Sequence, residues 1–216
     1  MIKAVIFDMD GLMVDTEPLY SRAVIEIAKK KDKEFTLEIK QKMMGRLGIE
    51  SMQIFKEHLN LPESPKELLE ERAKIYDNFL RKEGVKPMEG LFELLALLDS
   101  LNIPYAIASS SRRIWIDFIL ENLNIKNRFV SIISGDEIEK GKPDPEIYIK
   151  TIQKMDVLPE NTLVLEDAPA GVISAKNAGC KCIAVRNEYT SDLEFKEADL
   201  IVLSLLEITE DILQTL

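Results

Sequence analysis

Apolar residues in this chain gather in short, spaced runs. They fall at residues 5–7, 105–108, 130–133, 163–165 and 182–185, with a weaker run at 200–203. Their lengths and β-branched content suit strands buried on both faces. Between most of them the apolar positions recur at helical spacing, at 92–98, 114–123, 147–155 and 172–178. This alternation predicts an α/β fold with a doubly wound, Rossmann-like parallel sheet. Such sheets present ligands at the carboxyl ends of their strands.

The interval between the first two runs breaks the rhythm. Residues 16–82 carry only helical patterns, far more chain than one crossover needs. Thr36 can cap a helix running to Met43. Ser64-Pro65, with Glu67 three residues after the serine, has the form of a capping box with proline at the first helical position. A long amphipathic stretch over 66–82 follows, and Gly84 can end it. The expected organisation is an α/β core built from residues 1–15 and 83–216, with an inserted all-helical cap over 16–82. Residues 84–87 belong to the return.

Composition narrows the partners. A chain of 216 residues, 46% hydrophobic, can furnish one sizeable core with an insertion. The net charge of −10 argues against nucleic acid as a partner, and it obliges any phosphate site to carry its own local positive charge. Cys180 and Cys182 alternate along an apparent strand and read as two packed thiols of a reducing compartment. Asp8 and Asp10 interrupt the N-terminal apolar stretch, so it does not resemble a signal peptide. No apolar run reaches membrane-spanning length. The expectation is a cytoplasmic protein with no membrane partner. His58 is the only histidine. It cannot make a zinc cluster, and a Ser-His-Asp triad would depend on it alone.

Four segments fall at or just beyond predicted strand ends: Asp8-Met-Asp10-Gly11, Ser109-Ser110-Ser111-Arg112, Gly141-Lys142-Pro143-Asp144, and Glu166-Asp167-Ala168-Pro169-Ala170-Gly171. Along an extended chain Asp8 and Asp10 point the same way. Two crowded carboxylates repel, and a hard divalent cation such as magnesium is the natural group between them. Each segment also has an ordinary reading. Aspartate and glycine make turns, serines cap helices, and a loop lysine is solvated. Their order favours function, because all four can converge on one edge of one sheet. Carboxylates, hydroxyls and a lysine together suit phosphoryl transfer.

These pieces resemble the haloacid dehalogenase-like hydrolase superfamily. The match comprises Asp8-Met-Asp10-Gly11-Leu-Met-Val-Asp15-Thr16-Glu17, then Ser109, Gly141-Lys142-Pro143, and Glu166-Asp167 leading into Ala170-Gly171. The helical insertion after the first motif is typical of the branch with β-phosphoglucomutase and sugar-phosphate phosphatases. The resemblance implies that Asp8 is a nucleophile forming an aspartyl-phosphate, and that Asp10 is the general acid and then base. It implies that Asp8, the backbone carbonyl of Asp10, and Asp167 hold magnesium, with Glu166 nearby or coordinating. Ser109 and Lys142 would bind the phosphoryl group.

Asp10 also argues against dehalogenation, since an alkoxide leaving group needs a proton and halide does not. The mutase pattern has a histidine where this chain has Tyr20. The expected activity is therefore hydrolysis of small phosphorylated carbohydrates, with a sugar phosphomutase as the alternative and a non-catalytic phosphate- or partner-binding relic as the third reading. The insertion would be a mobile cap. Glu17, Tyr20, Arg46, Ser111 and Arg112 are candidate substrate contacts, with Gly45-Arg46 as an inward-facing cap loop. A monomer is the default expectation.

Overall fold

A computed structural model describes residues 1–43 and 46–216. The chain starts with β1 (Ala4–Phe7) and a two-residue strand, β2 (Val14–Asp15). Four helices follow: α1 (Glu17–Lys30), α2 (Leu37–Met43), α3 (Gly48–Leu59) and α4 (Pro65–Glu83). A second short strand, β3 (Lys86–Pro87), leads to α5 (Leu91–Ser100). Strands and helices then alternate through β4 (Tyr105–Ala108), α6 (Arg113–Asn122), β5 (Ser131–Ile133) and α7 (Glu146–Met155). The chain closes with β6 (Thr162–Glu166), α8 (Pro169–Asn177), β7 (Lys181–Val185), β8 (Leu200–Val202) and α9 (Glu210–Thr215).

The main sheet has six parallel strands in the order β5-β4-β1-β6-β7-β8. Alternate residues feed two separate cores, which is the physical content of double winding. Val5 and Phe7 of β1, Leu163 and Leu165 of β6, and Ile183 and Val185 of β7 pack with α5, α6 and α9. Ile6, Val164, Cys182 and Ala184 pack with α7 and α8 on the opposite face. Both faces are covered, so the strands read as unbroken apolar runs. The strand order reverses at β1, which lies between β4 and β6, and the carboxyl ends there form the crevice where such sheets hold ligands.

The apolar runs overreach at three strand ends. Val130, Cys180 and Leu203 lie just outside β5, β7 and β8. Val130 and Leu203 are exposed at the two edges of the sheet, where an apolar side chain has no second neighbour to hold it. Cys180 follows Gly179, whose φ of +83° turns the chain after α8, and it is buried by α8 instead.

Helices α1 to α4 share a core of their own, with Val24, Ile27, Ile39, Met52, Phe55 and Leu68 at its centre. The sequence contains no periodic sign of the pair that closes their base. β2 and β3 run antiparallel, with Val14 opposite Pro87 and Asp15 opposite Lys86. Two residues are too few to show a period. An aromatic stack joins the helical segment to the α/β core: Tyr20 of α1 stacks on Tyr76 of α4 at 4.2 Å, and Tyr76 meets Trp115 of α6 edge-on at 4.6 Å. No helix among the described residues is long and apolar enough to cross a membrane.

The start of α4 forms as its sequence predicts. Glu67 Oε2 accepts from the Ser64 N–H at 2.8 Å, and Ser64 Oγ accepts from the Glu67 N–H at 3.3 Å. Removing the serine hydroxyl leaves one helix donor without its partner. Ser64→Ala is expected to lower unfolding stability by about 0.5–2 kcal/mol in denaturant titration, with turnover unaffected because the cap is exposed and remote from the strand ends. An unchanged midpoint would show that solvent replaces the cap.

Candidate active site

Asp8 stands directly beyond β1, and its N–H still donates to the Leu165 carbonyl of β6 at 3.0 Å. It therefore sits at the carboxyl ends of the two central strands. The chain then turns back. The Met13 N–H donates to the Met9 carbonyl at 2.9 Å, and the Gly11 N–H to the Val14 carbonyl at 2.9 Å. Buried Met9, Leu12 and Met13 anchor the turn. Gly11 has φ +84°, and a Cβ there would collide with the Asp167 carboxylate. Only glycine meets both demands.

Lys142 enters from the loop before α7. Its Nζ lies 2.5 Å from Asp8 Oδ1 and 2.6 Å from Glu166 Oε1, with only 1% of the residue exposed. Glu166 is held on all sides. Its Oε1 also accepts from the Tyr148 hydroxyl at 2.6 Å, and its Oε2 accepts from the N–H groups of Asp167 and Ala168 at 3.1 and 3.2 Å. Asp167 Oδ2 accepts from Asn187 Nδ2 at 2.9 Å, and the same amide donates to the Gly11 carbonyl at 2.9 Å.

Asp8, Glu166 and Asp167 are buried, with ligand oxygens within 4.8 Å of one another. Three carboxylates and one ammonium leave two negative charges in a place water scarcely reaches. Burial pushes the Asp8 carboxyl up to about 7, with Lys142 opposing the shift and Glu166 and Asp10 adding to it. Burial, reinforced by Asp8 and Glu166, holds Asp167 well above the carboxylate range. Burial alone would lower the Lys142 ammonium, but Asp8 and Glu166 outweigh it and hold it above its usual value. An oxygen-only cluster with this excess charge fits a hard divalent cation.

The carboxylate of Asp10 keeps different company. Its Oδ1 accepts from Thr16 Oγ1 at 2.8 Å, and its Oδ2 accepts from Ser109 Oγ at 3.1 Å and Ser111 Oγ at 2.8 Å. It stands outside the acidic cluster, so the two aspartates that an extended chain would aim together have separate surroundings. The turn at Gly11 begins between them and ends the strand alternation.

A cavity opens over Asp8, Asp10 and Asp167 beneath the helical insertion. Among the predicted contacts, Glu17, Tyr20, Arg46 and Ser111 line it; Arg112, Ser109 and Lys142 do not. Ser109 and Lys142 lie behind its wall, bonded to Asp10 and Asp8 respectively. Glu17 is neutralised by Lys40 at 2.9 Å. Tyr20 shares a 2.8 Å hydrogen bond with Ser111. Arg46 is exposed, and its Nε donates to the Lys42 carbonyl at 2.9 Å; Gly45 beside it lies outside the described residues. Arg112 lies over the Trp115 ring at 5.4 Å.

Three residues at the site have no place in the motifs: Arg72, Tyr148 and Asn187. Arg72 had a legible signal. On α4 it falls on the stripe of Leu68, Tyr76 and Leu80, one charge on a buried face. Asn187 follows β7 in a loop and carries no such pattern.

Known proteins resemble this chain over most of its length. The sequence pattern of haloacid dehalogenase-like hydrolases matches residues 5–185. A phosphorylated carbohydrates phosphatase of Thermotoga maritima is 34% identical over 186 residues, covering 84% of each chain. A β-phosphoglucomutase of Bacillus subtilis is 33% identical over 192 residues, covering 85% of this chain and 83% of that protein. The crystal structure of a β-phosphoglucomutase from Clostridium difficile superposes with a TM-score of 0.87 at 26% identity, covering 99% of this chain and 96% of that one. With the motif residues gathered at the switch point of the sheet and the match spanning most of the chain, this protein belongs to the haloacid dehalogenase-like hydrolases.

Proposed function

We propose that the chain is a magnesium-dependent phosphatase that hydrolyses small phosphorylated carbohydrates through an aspartyl-phosphate. The observation that carries this reading is the division of the two aspartates. Asp8 is clamped by Lys142 in the acidic cluster, while Asp10 is held apart by three hydroxyl donors. One carboxylate is placed to attack phosphorus and the other to manage the proton.

In the first step an Asp8 oxygen bonds to phosphorus, the bond from phosphorus to the ester oxygen breaks, and Asp10 delivers its proton to the departing alkoxide. In the second, Asp10 takes a proton from water as the water oxygen attacks phosphorus. The Asp8–phosphorus bond then breaks and phosphate leaves. Lys142 offsets negative charge on Asp8 and on the incoming phosphate, and Ser109 steadies Asp10 beside it. Tyr148 and Glu166 keep that ammonium in place. Asp8, Asp167 and the Asp10 backbone carbonyl, with Glu166 behind them, would hold magnesium, which supplies further positive charge to the phosphoryl oxygens.

Residues 16–82 act as the cap, shutting out bulk water and meeting the leaving alcohol. The names of the relatives, a phosphatase of phosphorylated carbohydrates among them, support the substrate class. The mutase reading has support from the similar mutases. Against it, Tyr20 stands where the mutase pattern has histidine, and His58 is on the surface beside Lys42. The intact Asp8, Asp10, Lys142 and Asp167 set opposes a relic. Two buried free thiols fit the reducing cytoplasm proposed for the protein, and a monomer is the working assembly.

Asp8→Asn is expected to abolish phosphate release from sugar and aryl phosphates, because an amide of nearly the same shape is a poor nucleophile. Circular dichroism should show an intact fold. Substantial turnover by the purified variant would remove Asp8 from its role.

Excess chelator should stop turnover, and magnesium should restore it. Binding should also depend on pH. In the cation-free protein Asp8 holds a proton below about 7, against 3.8 for an ordinary aspartate. The folded state thus binds the extra proton between those values, and a cation must displace it. Apparent magnesium affinity should fall as pH drops below that point, by up to about tenfold per unit. The rise in Tm on adding magnesium should be larger at pH 8 than at pH 6, and smaller throughout for Asp167→Ala. Equal rises at both pH values would exclude Asp8 as a ligand.

Incubation with β-glucose 1-phosphate separates hydrolase from mutase. Free phosphate should appear without a bisphosphate activator. Glucose 6-phosphate forming much faster than phosphate would establish the mutase.

A further inference from the structure

Arg72 is a buried cation that no carboxylate contacts directly among the described residues. Only 7% of the residue is exposed, and its Nε is sealed from solvent without an acceptor. Among the described residues no carboxylate pairs with its guanidinium and no oxygen accepts a hydrogen bond from it. The Tyr20 ring lies beneath it, 5.3 Å from ring centroid to guanidinium carbon. The other cations lining the cavity are Lys40, which is paired with Glu17, and Arg46, which is exposed and bonded to a backbone carbonyl. Burial lowers the Arg72 charge's stability; Tyr20, Tyr76 and Asp10 favour that charge, and Arg112 opposes it.

The fold makes room for this side chain. Gly48 begins α3 opposite it, and a Cβ there would stand 3.0 Å from Arg72 Nη2 and 2.8 Å from a Leu69 methyl. A buried charge without a partner destabilises a protein, so packing does not account for it. A ligand anion in the cavity does. The location also says which part of the ligand. Arg72 lies against Tyr20, whose hydroxyl reaches Ser111, which in turn donates to Asp10. That is the Asp10 side of the cavity, where the leaving alcohol sits in the proposed reaction.

We infer that Arg72 binds a second anionic group, a carboxylate or phosphate, carried by the alcohol part of the substrate. This rests on the phosphatase reading and narrows it to phosphorylated sugar acids and sugar bisphosphates. The planar guanidinium matches either oxyanion with two parallel hydrogen bonds.

The test compares the full-length protein with Arg72→Met and Arg72→Lys on 6-phosphogluconate, glucose 1,6-bisphosphate, glucose 6-phosphate and 4-nitrophenyl phosphate. The methionine should raise KM for the first two by about tenfold or more, with kcat little changed, and leave 4-nitrophenyl phosphate within about twofold. Lysine should recover part of the loss. Tm should hold or rise in Arg72→Met, since an unpaired charge leaves the interior. A lowered Tm with equal losses on all four substrates would make Arg72 structural or a support for Asp10, and would overturn the inference. So would equal losses on glucose 6-phosphate and the two anionic substrates, which would mean that it reads hydroxyl groups. Calorimetry of glucose 1,6-bisphosphate and glucose 6-phosphate against Asp8→Asn, with and without Arg72→Met, reads the same contact without turnover. A failure of the phosphatase reading therefore stays distinguishable from a failure of this one.

Discussion

The Lys142 ammonium lies between Asp8 and Glu166 with almost no access to water. In such a place each charge is tolerable only because of the others, and removing one partner strands the rest. The triad therefore dictates its surroundings. Glu166 must be saturated by Tyr148 and two backbone donors. Gly171 must lack a side chain, because a Cβ there would collide with the Glu166 carboxylate. Three separate stretches of chain are tied together at the end of the sheet, and the direction of the Asp8 carboxylate follows from the tie.

The same low-dielectric setting creates the need for a cation. With Asp167 added, the cluster holds more negative charge than one lysine can balance. The raised carboxyls of Asp8 and Asp167 are the protein's response when no metal shares the charge. Asp10 has other neighbours, with three hydroxyls donating to its carboxylate. Two aspartates two residues apart can thus do different chemistry, and the turn at Gly11 is what separates them.

The α/β core and the helical insertion solve opposite electrostatic problems. The core concentrates negative charge beneath the cavity. The insertion brings Arg72 over it from α4, unpaired, through a gap left by Gly48. Aromatic contacts of Tyr20, Tyr76 and Trp115 hold the two parts in register while leaving polar groups at the cavity. In the proposed reaction the core would supply the chemistry common to all phosphate esters, and the insertion would meet the alcohol.

By itself the sequence determined the doubly wound sheet, the helical insertion and the four motif segments. Those features are written in local periodicity, caps and strand-end residues, and each is set by near neighbours in the chain. Asp8, Lys142, Glu166 and Asp167 were legible for that reason, since strand order brings strand ends together. Tertiary structure alone decided the separate surroundings of Asp10, the saturation of Glu166 by Tyr148, and the clamp of Asn187 on Asp167 and Gly11. It also put Ser109 and Lys142 behind the cavity wall and brought buried Arg72 to the cavity alongside exposed Arg46. These depend on which side chains meet across distant segments and how much water remains between them. No local pattern encodes that, although one arginine on the apolar stripe of α4 was a trace of it.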